Sequence, residues 1–453
     1  MRGKSPNQQQ RNLYRPLLLD FIDIKHELVL LANKIDWQYF EDEYSPLYSN
    51  TGQPAMPIRL MVGSLMLTRI YNLGDETLVE AWLRDPYMQY FCGMAYFEHK
   101  FPCDPSDFVH FRKRLGQKGI EKIFVYSVEL HGKDAQEKMV LSDTTVQENL
   151  PTGQAGNTTF PTDAKLAKKV INKLNAIARK EQVTQRQTYV RTSKQLLRDT
   201  YNPNHPKRRK KAGRASKKLN TIAGRLLREL ERKLSNETFT RYNNELALYK
   251  RVLAQKKNDK DKVYSLYKPF TACIAKGKIH KPYEFGNKVG IVTTAKTIII
   301  TAIKSFGGNP HDSKTIGPLL DQMQENLGYT PAEVIYDRGG KGQKQIGDTI
   351  ISTPSKPFKR DSEYQKRKKR LKFRRRAAIE PIIGHLKTHF RMGQNYLWGE
   401  QSPQINAFLA ATGWNLKKMM KKLKQELLGL YYLWQQILQN LWRRNISHCS
   451  TSW

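Results

Sequence analysis

Three carboxylates far apart in the chain, Asp143, Asp337 and Glu380, carry the chemistry that can be read from the residues alone. Asp143 ends the apolar run Lys138-Met139-Val140-Leu141-Ser142-Asp143, and Asp337 ends Ala332-Glu333-Val334-Ile335-Tyr336-Asp337. Both runs read as short strands, and an acid at the C-terminal end of a central strand sits at the mouth of an α/β sheet, where ligands bind. Glu380 follows a basic run in which nine of the eleven residues from Lys366 to Arg376 are Lys or Arg. Such a block repels itself unless anions neutralise it, and a carboxylate among so many cations suits a metal ligand facing a polyanion. Magnesium prefers carboxylate oxygens, and two divalent ions about 4 Å apart can activate the attacking oxygen and stabilise the leaving oxygen at a phosphodiester. Only the fold can bring acids so distant in sequence together.

The cations have a spacing of their own. Phe373, Arg376, Glu380 and Lys387 follow one another at steps of three, four and seven, which keeps all four near one face of a helix. Pro381 directly after Glu380 disfavours helical geometry at Glu380, so a helix start or a kink is expected there. Arg338-Gly339-Gly340-Lys341-Gly342 reads as a flexible cationic turn able to approach a backbone phosphate closely. Lys207 to Lys218, opening with Lys207, Arg208, Arg209, Lys210 and Lys211, holds eight cations in twelve residues and no acid. A solvated helix face would have that composition; in this chain a DNA-backbone contact is the favoured reading.

Length and charge bound what must position these groups. The 453 residues carry 78 Lys and Arg against 41 Asp and Glu, a formal charge of +37 with a pI near 9.9, which points to nucleic acid as partner. No run approaches the roughly 20 apolar residues of a membrane span, and no apolar segment follows the basic start, so neither membrane nor secretion is expected and the cytoplasm is. Cys92, Cys103, Cys273 and Cys449 show no metal spacing and read as reduced. Residues 1–20 read as a mobile polar leader, and 21–125 as a helical domain that binds DNA ends or dimerises. There Pro57 starts a helix, Asp75 can cap the next, Asp85-Pro86 starts another, and Asp104-Pro105 opens one that stops at Gly116. Strand patterns in 126–162 resume in 263–425, with runs at Ser265 to Ala275, Glu284 to Thr294 and Thr297 to Ile303, so 163–262 is a basic helical insertion into one α/β domain. The tail, 426–453, reads as a helix whose Tyr431, Tyr432, Trp434 and Trp442 pack on the catalytic domain or on a second subunit.

With these segments in order, the chain resembles insertion-sequence transposases with an Asp-Asp-Glu triad, in the group of insertion sequence 5 relatives. That group has a signature Tyr-x2-Arg-x3-Glu-x6-Lys; here Phe373, Arg376, Glu380 and Lys387 match it, with phenylalanine in the tyrosine position. Further matching segments are Asp143-Thr144-Thr145, Phe160-Pro161-Thr162-Asp163-Ala164-Lys165, His280-Lys281-Pro282-Tyr283-Glu284-Phe285-Gly286, Asn309-Pro310-His311-Asp312-Ser313 and Tyr336-Asp337-Arg338-Gly339. The resemblance implies a ribonuclease H-like mixed sheet flanked by helices, with Asp143, Asp337 and Glu380 holding Mg²⁺, or Mn²⁺ in its place. It also implies Arg376 and Lys387 as contacts to DNA ends, double-stranded DNA as partner, and a homodimer or larger assembly in the DNA complex. A nuclease of the same fold without strand transfer, and a DNA-binding derivative without catalysis, are the competing expectations.

Overall fold

The computed structural model describes residues 3, 14–49, 51–52, 55–149, 161–256, 258–259, 261–276, 282–354, 358 and 360–449, the side chains of 440–449 excepted. Most of the expected leader, with Phe160, His280 and Lys281, lies outside the described residues. The sheet is built on the strand that carries Asp143. This strand, β1 (Met139–Glu148), pairs antiparallel with β3 (Tyr283–Thr294) on one side and parallel with β5 (Glu333–Ile335) on the other. β2 (Ala272–Ala275) and β4 (Ile300–Phe306) share the far edge of β3, while β7 (Thr349–Ser352) lies parallel to β5 and carries β6 (Gln345–Ile346) outside it. This is the ribonuclease H-like mixed sheet that the resemblance implied. Long, nearly uninterrupted burial along β3 follows from its central place, since both faces are covered.

Both faces of the sheet are packed with helices, and the covering differs. One face meets the Ile316–Leu327 helix through Leu319, Leu320 and Met323, against Val140, Val292 and Val334. The other contributes Leu141, Ile291, Ile303 and Ile335 to a core that also contains the N-terminal helices and the buried part of the long helix Ser402–Cys449. That helix is the spine of the molecule: Phe408, Leu409, Ala411, Leu416 and Met420 are buried between the helix Ile58–Ile70, the helix Asp107–Glu129 and β4. Asn415 joins the three layers, its side chain accepting from the Ile300 N–H (3.0 Å) and donating to the Ile300 carbonyl (3.0 Å) and Ser127 Oγ (3.3 Å). The helices of 21–125 therefore share a core with the sheet. Four helices between β1 and β2, Asp163–Lys180, Val190–Asp199, Pro206–Lys233 and Asn236–Ala254, have a separate core.

Several expected boundaries move, each for a local reason. Asp85 caps the Pro86–Phe91 helix through the N–H groups of Tyr87 (2.8 Å) and Met88 (3.2 Å), as its sequence suggests. Asp75 does not cap its helix: Gly74 holds the cap position, and the Asp75 carboxylate is taken by a two-pronged ion pair with Arg112 (2.9 and 2.6 Å). Asp104 bonds the Ser106 N–H, and the helix begins at Asp107; at Gly116 (φ +60°) it breaks but resumes to Glu129, because Ile120, Ile123 and Phe124 continue its apolar face. The expected strand Ser265–Ala275 shrinks to Ala272–Ala275, since Pro269 interrupts it and Lys268 turns inward to the Asn395 carbonyl. The tail helix leaves the body after Met420 and Leu423, so Tyr431, Tyr432 and Trp434 are exposed and do not pack on the catalytic domain.

Candidate active site

β1 and β5 run side by side with Leu141 opposite Ile335, so two residues further along each chain come Asp143 and Asp337. The strand order thus brings the two aspartates to one place. Asp143 does not end its strand, as the sequence suggested. Thr144, Thr145, Val146 and Gln147 keep pairing with β3, and Asp143 stands where β5 stops beside it. Asp337 leaves β5 into the short turn Arg338–Gly340, and its carboxylate accepts the Gly339 N–H at 2.7 Å. Glycine is needed in this turn for close approach: a Cβ on Gly340 would lie 2.0 Å from the Tyr336 ring, and one on Gly339 would lie 2.6 Å from Asp312 Oδ2. Arg338 is exposed on the same turn.

Glu380 arrives from the opposite side. The basic run forms the helix Glu363–Arg376, capped by Ser362, and the chain turns at Ala377 and Ala378 before the helix Ile379–His389. The single helix face suggested by the spacing is therefore split in two, with Pro381 in the first turn of the second helix, where proline is tolerated. Glu380 is in that first turn, at a helix N-terminus that favours negative charge. Phe373 packs against the main core, a role that needs no hydroxyl. Lys387 lies seven residues on, about 10 Å along the helix axis. It lines a cavity of about 720 Å³ with Asn72, Glu148, Glu284, Arg391 and Tyr396.

Arg376 links the two halves. Its Nη1 is 3.3 Å from Asp143 Oδ2, and its Nη2 is 2.6 Å from Glu380 Oε1. Among the described residues, no three acidic, histidine or cysteine side chains stand close enough together to hold a metal as they are. Asp143 and Asp337 stand together where β5 ends beside β1, Glu380 comes from a helix, and the Arg376 guanidinium bridges Asp143 and Glu380. Donor chemistry nonetheless fits a hard divalent cation, since every candidate ligand is a carboxylate. Asp143 is strongly perturbed: burial pushes its carboxyl up to about 6, and the charges of Asp337 and Glu380 add to the rise, while the Thr144 N–H and Arg376 oppose it.

A fourth acid was missed at the sequence level. Asp312, inside the matching segment Asn309 to Ser313, accepts from Thr144 Oγ1 (3.0 Å) and from Lys288 Nζ (2.9 Å). It ties β1 to β3 beside the Asp337 turn. The available signal was Lys288, a cation just before the apolar run Val289 to Val292 of β3; its buried ammonium also donates to the Pro310 carbonyl (2.7 Å). The five cations Lys207, Arg208, Arg209, Lys210 and Lys211 are exposed on the first turns of the Pro206–Lys233 helix, with Lys211 paired to Asp199 at 2.9 Å.

The Asp143 environment makes a prediction for the metal-free protein. A carboxyl whose folded pKa is raised holds its proton more tightly in the native than in the unfolded chain. Its cost to stability is absent below about pH 4 and complete above about pH 6. With a chelator present, Asp143→Asn should therefore stabilise the fold by up to about 3 kcal/mol at pH 8 and by little near pH 4, as read from thermal unfolding. Destabilisation at pH 8 would mean that removing the ion pair with Arg376 outweighs relief of burial and repulsion.

Residues 17–114 match the family model described as Transposase domain (DUF772), and residues 254–416 match the one described as Transposase DDE domain. The second match contains Asp337 and Glu380, and Asp143 precedes it. The chain is also similar to a Rhizobium meliloti protein named "Uncharacterized protein ORF8 in nfe locus", at 37% identity over 199 residues, which is 43% of this chain and 93% of that protein. No solved structure matches. Among the described residues no helix is long and apolar enough to cross a membrane. DNA is accordingly the partner, polynucleotidyl transfer the class of reaction and divalent-metal dependence a property of the domain type: the chain belongs to the transposases of insertion sequences.

Proposed function

We propose that the protein binds the terminal inverted repeats of its insertion sequence, cleaves at the ends, and joins the freed 3′-hydroxyl to target DNA, using Asp143, Asp337 and Glu380 as metal ligands. The observation that carries this reading is the convergence of two parallel-strand aspartates with a helix-borne glutamate, joined to Asp143 by one guanidinium. When bound, Mg²⁺ or Mn²⁺ would activate the attacking oxygen and stabilise the leaving one. The chain's own residues supply the rest. Asp143 and Asp337 are held by backbone N–H donors, at Thr144 (2.7 Å) and Gly339, that fix their orientation. Arg338, Lys387 and the exposed Arg367, Lys368, Arg370 and Arg374 offer cations to the DNA backbone; the last four form no ion pair among the described residues.

Assembly as a homodimer on DNA has its own support. Leu416, Met420, Leu423, Leu427, Leu430, Trp434 and Ile437 follow one another at alternating steps of three and four, the spacing of a coiled-coil seam. The first of them are buried in the body, while Leu430, Trp434 and Ile437 continue the stripe into solvent. A second copy carrying the same stripe would cover it.

Three measurements test this function. Glu380→Gln keeps size and one acceptor oxygen but removes the charge that holds a cation. On a labelled duplex bearing the element's own end with Mg²⁺, it should bind nearly as the wild type does and lose cleavage and joining together. Substantial cleavage by this variant would remove Glu380 from the ligand set. Replacing Lys207, Arg208, Arg209, Lys210 and Lys211 with glutamine should weaken binding to all sequences and flatten the salt dependence, by about one unit of slope for each phosphate no longer neutralised. A loss confined to one sequence would contradict the backbone role. Removing residues 426–453 should convert a dimer to a monomer in sedimentation, and an unchanged mass would place the subunit contact elsewhere.

A further inference from the structure

Both carboxylate oxygens of Asp143 are already in use. Oδ1 accepts the Thr144 N–H at 2.7 Å, and Oδ2 faces Arg376 Nη1 at 3.3 Å. The same guanidinium holds Glu380 Oε1 at 2.6 Å through its other terminal nitrogen. Two acids from different parts of the fold thus converge on one planar cation. The Asp143 half of this constellation is shielded, with Arg376 and Asp143 only 18% and 16% exposed, while the Glu380 carboxylate opens to solvent at 61%. Nothing outside the acids competes for that guanidinium among the hydrogen bonds of the described residues. The neighbours on its helix are differently employed: Lys372 binds Glu333 and Ser352, and Arg375 binds the backbone carbonyls of Ala295 (2.5 Å) and Lys296 (3.2 Å). These contacts anchor the last turn to the sheet without Arg376. The Arg376 side chain can swing while the helix stays in place.

We infer that Arg376 is an exchangeable counter-cation: it neutralises Asp143 and Glu380 in the DNA-free chain, yields them to a divalent metal, and is thereby turned onto a DNA phosphate. The inference rests on the assignment of Asp143 and Glu380 as metal ligands. A divalent ion bound between these carboxylates competes with Arg376 for Asp143 Oδ2 and Glu380 Oε1, and the two cations repel if they remain together. Once displaced, the guanidinium lies beside the site with no carboxylate, and a phosphate matches its fork of donors. Metal and DNA then assist each other: a phosphate on Arg376 frees the carboxylates, and a metal on the carboxylates frees Arg376. Reciprocity of binding free energies requires the two effects to be equal. The chain on its own loads metal weakly, and does so well only where a phosphate is at hand.

The test measures metal binding itself, with Mn²⁺ titrated into the full chain by calorimetry. Arg376→Met keeps the aliphatic stem and removes the charge. It should bind Mn²⁺ about 10-fold more tightly than the wild type without DNA, a factor within the usual range of coupling between sites. Arg376→Lys keeps a charge but not the fork, and should fall between them; it also provides a reading if the methionine variant does not fold. A duplex bearing the element's own end should tighten Mn²⁺ on the wild type and change it little on Arg376→Met. Equal or weaker Mn²⁺ binding by both variants, or an equal effect of DNA on wild type and Arg376→Met, would overturn the exchange. Failure of the underlying assignment has a different signature. Adding Asp143→Asn to Arg376→Met should abolish the Mn²⁺ site, and undiminished binding there would show that the carboxylates are not the ligands.

Discussion

Carboxylates gathered at one edge of a sheet repel one another, and the catalytic half of this molecule is arranged around that repulsion. Asp143 and Asp337 come together because β1 and β5 are parallel and in register, and Asp312 is beside them on Thr144. Each acid is given a compensating donor: the Thr144 N–H for Asp143, the Gly339 N–H for Asp337, Lys288 for Asp312 and Arg376 for Asp143 and Glu380. Even so, burial first, with the charges of Asp337 and Glu380 behind it, keeps the Asp143 carboxyl well above its ordinary range. An incompletely neutralised acidic cluster is a site with an appetite for a cation.

Parallel pairing has a topological requirement. Two parallel neighbours cannot be joined by a tight turn, and here the chain between β1 and β5 includes three more strands, the Ile316–Leu327 helix and a four-helix insertion. The insertion is tolerated because it brings its own core, from Leu166, Val170 and Leu174 on one helix to Leu219, Leu226 and Leu230 on another. It adds little to the sheet and much to the charge. The basic run before Glu380 divides its labour instead. Lys366, Lys369, Lys372, Arg375 and Arg376 turn to protein groups, and Arg367, Lys368, Arg370 and Arg374 remain facing solvent. A polyanion is therefore offered one face of a helix whose opposite face is already fixed.

Much of this was legible in the residues, and the exceptions have physical causes. Apolar runs marked β1, β3, β4 and β5, and composition marked the helical insertion, whereas β6 and β7 are too short to show a period and were not foreseen. The Asp337 turn was legible because an acid before two glycines ends a strand in a recognisable way. Asp143 was misplaced along its strand because threonines and valine carry β1 beyond it, and the end of the neighbour β5 is not a property of β1. Gly116 was read as a helix end, yet the apolar face returns after it. The resemblance implied Arg376 as a DNA contact, and nothing in the sequence showed that in the DNA-free chain its guanidinium also meets Asp143 and the carboxylate four residues on, Glu380. Asp312 stayed hidden because its partner Lys288 is distant in sequence.

The N-terminal helices are part of the catalytic body, which constrains how DNA-end recognition can relate to cleavage. Arg69 on the helix Ile58–Ile70 is buried, and its guanidinium donates to Asn406 Oδ1 at 2.8 Å and to the Phe390 carbonyl at 3.4 Å. It forms no ion pair among the described residues, and burial draws its pKa down to about 9. Such a group is retained only where its hydrogen bonds fix something. Phe390 directly follows the helix that carries Glu380, so the far end of that helix is held by the N-terminal region, and its near end by Arg376 and the sheet. Nearby, Asn72 Nδ2 donates to the Thr388 carbonyl at 3.2 Å, another polar tie across the same boundary. A flexible tether would let an end-binding module search independently of the active site. Here the shared core and these ties remove that freedom, so any DNA bound by the N-terminal helices would be held at a fixed distance from Glu380.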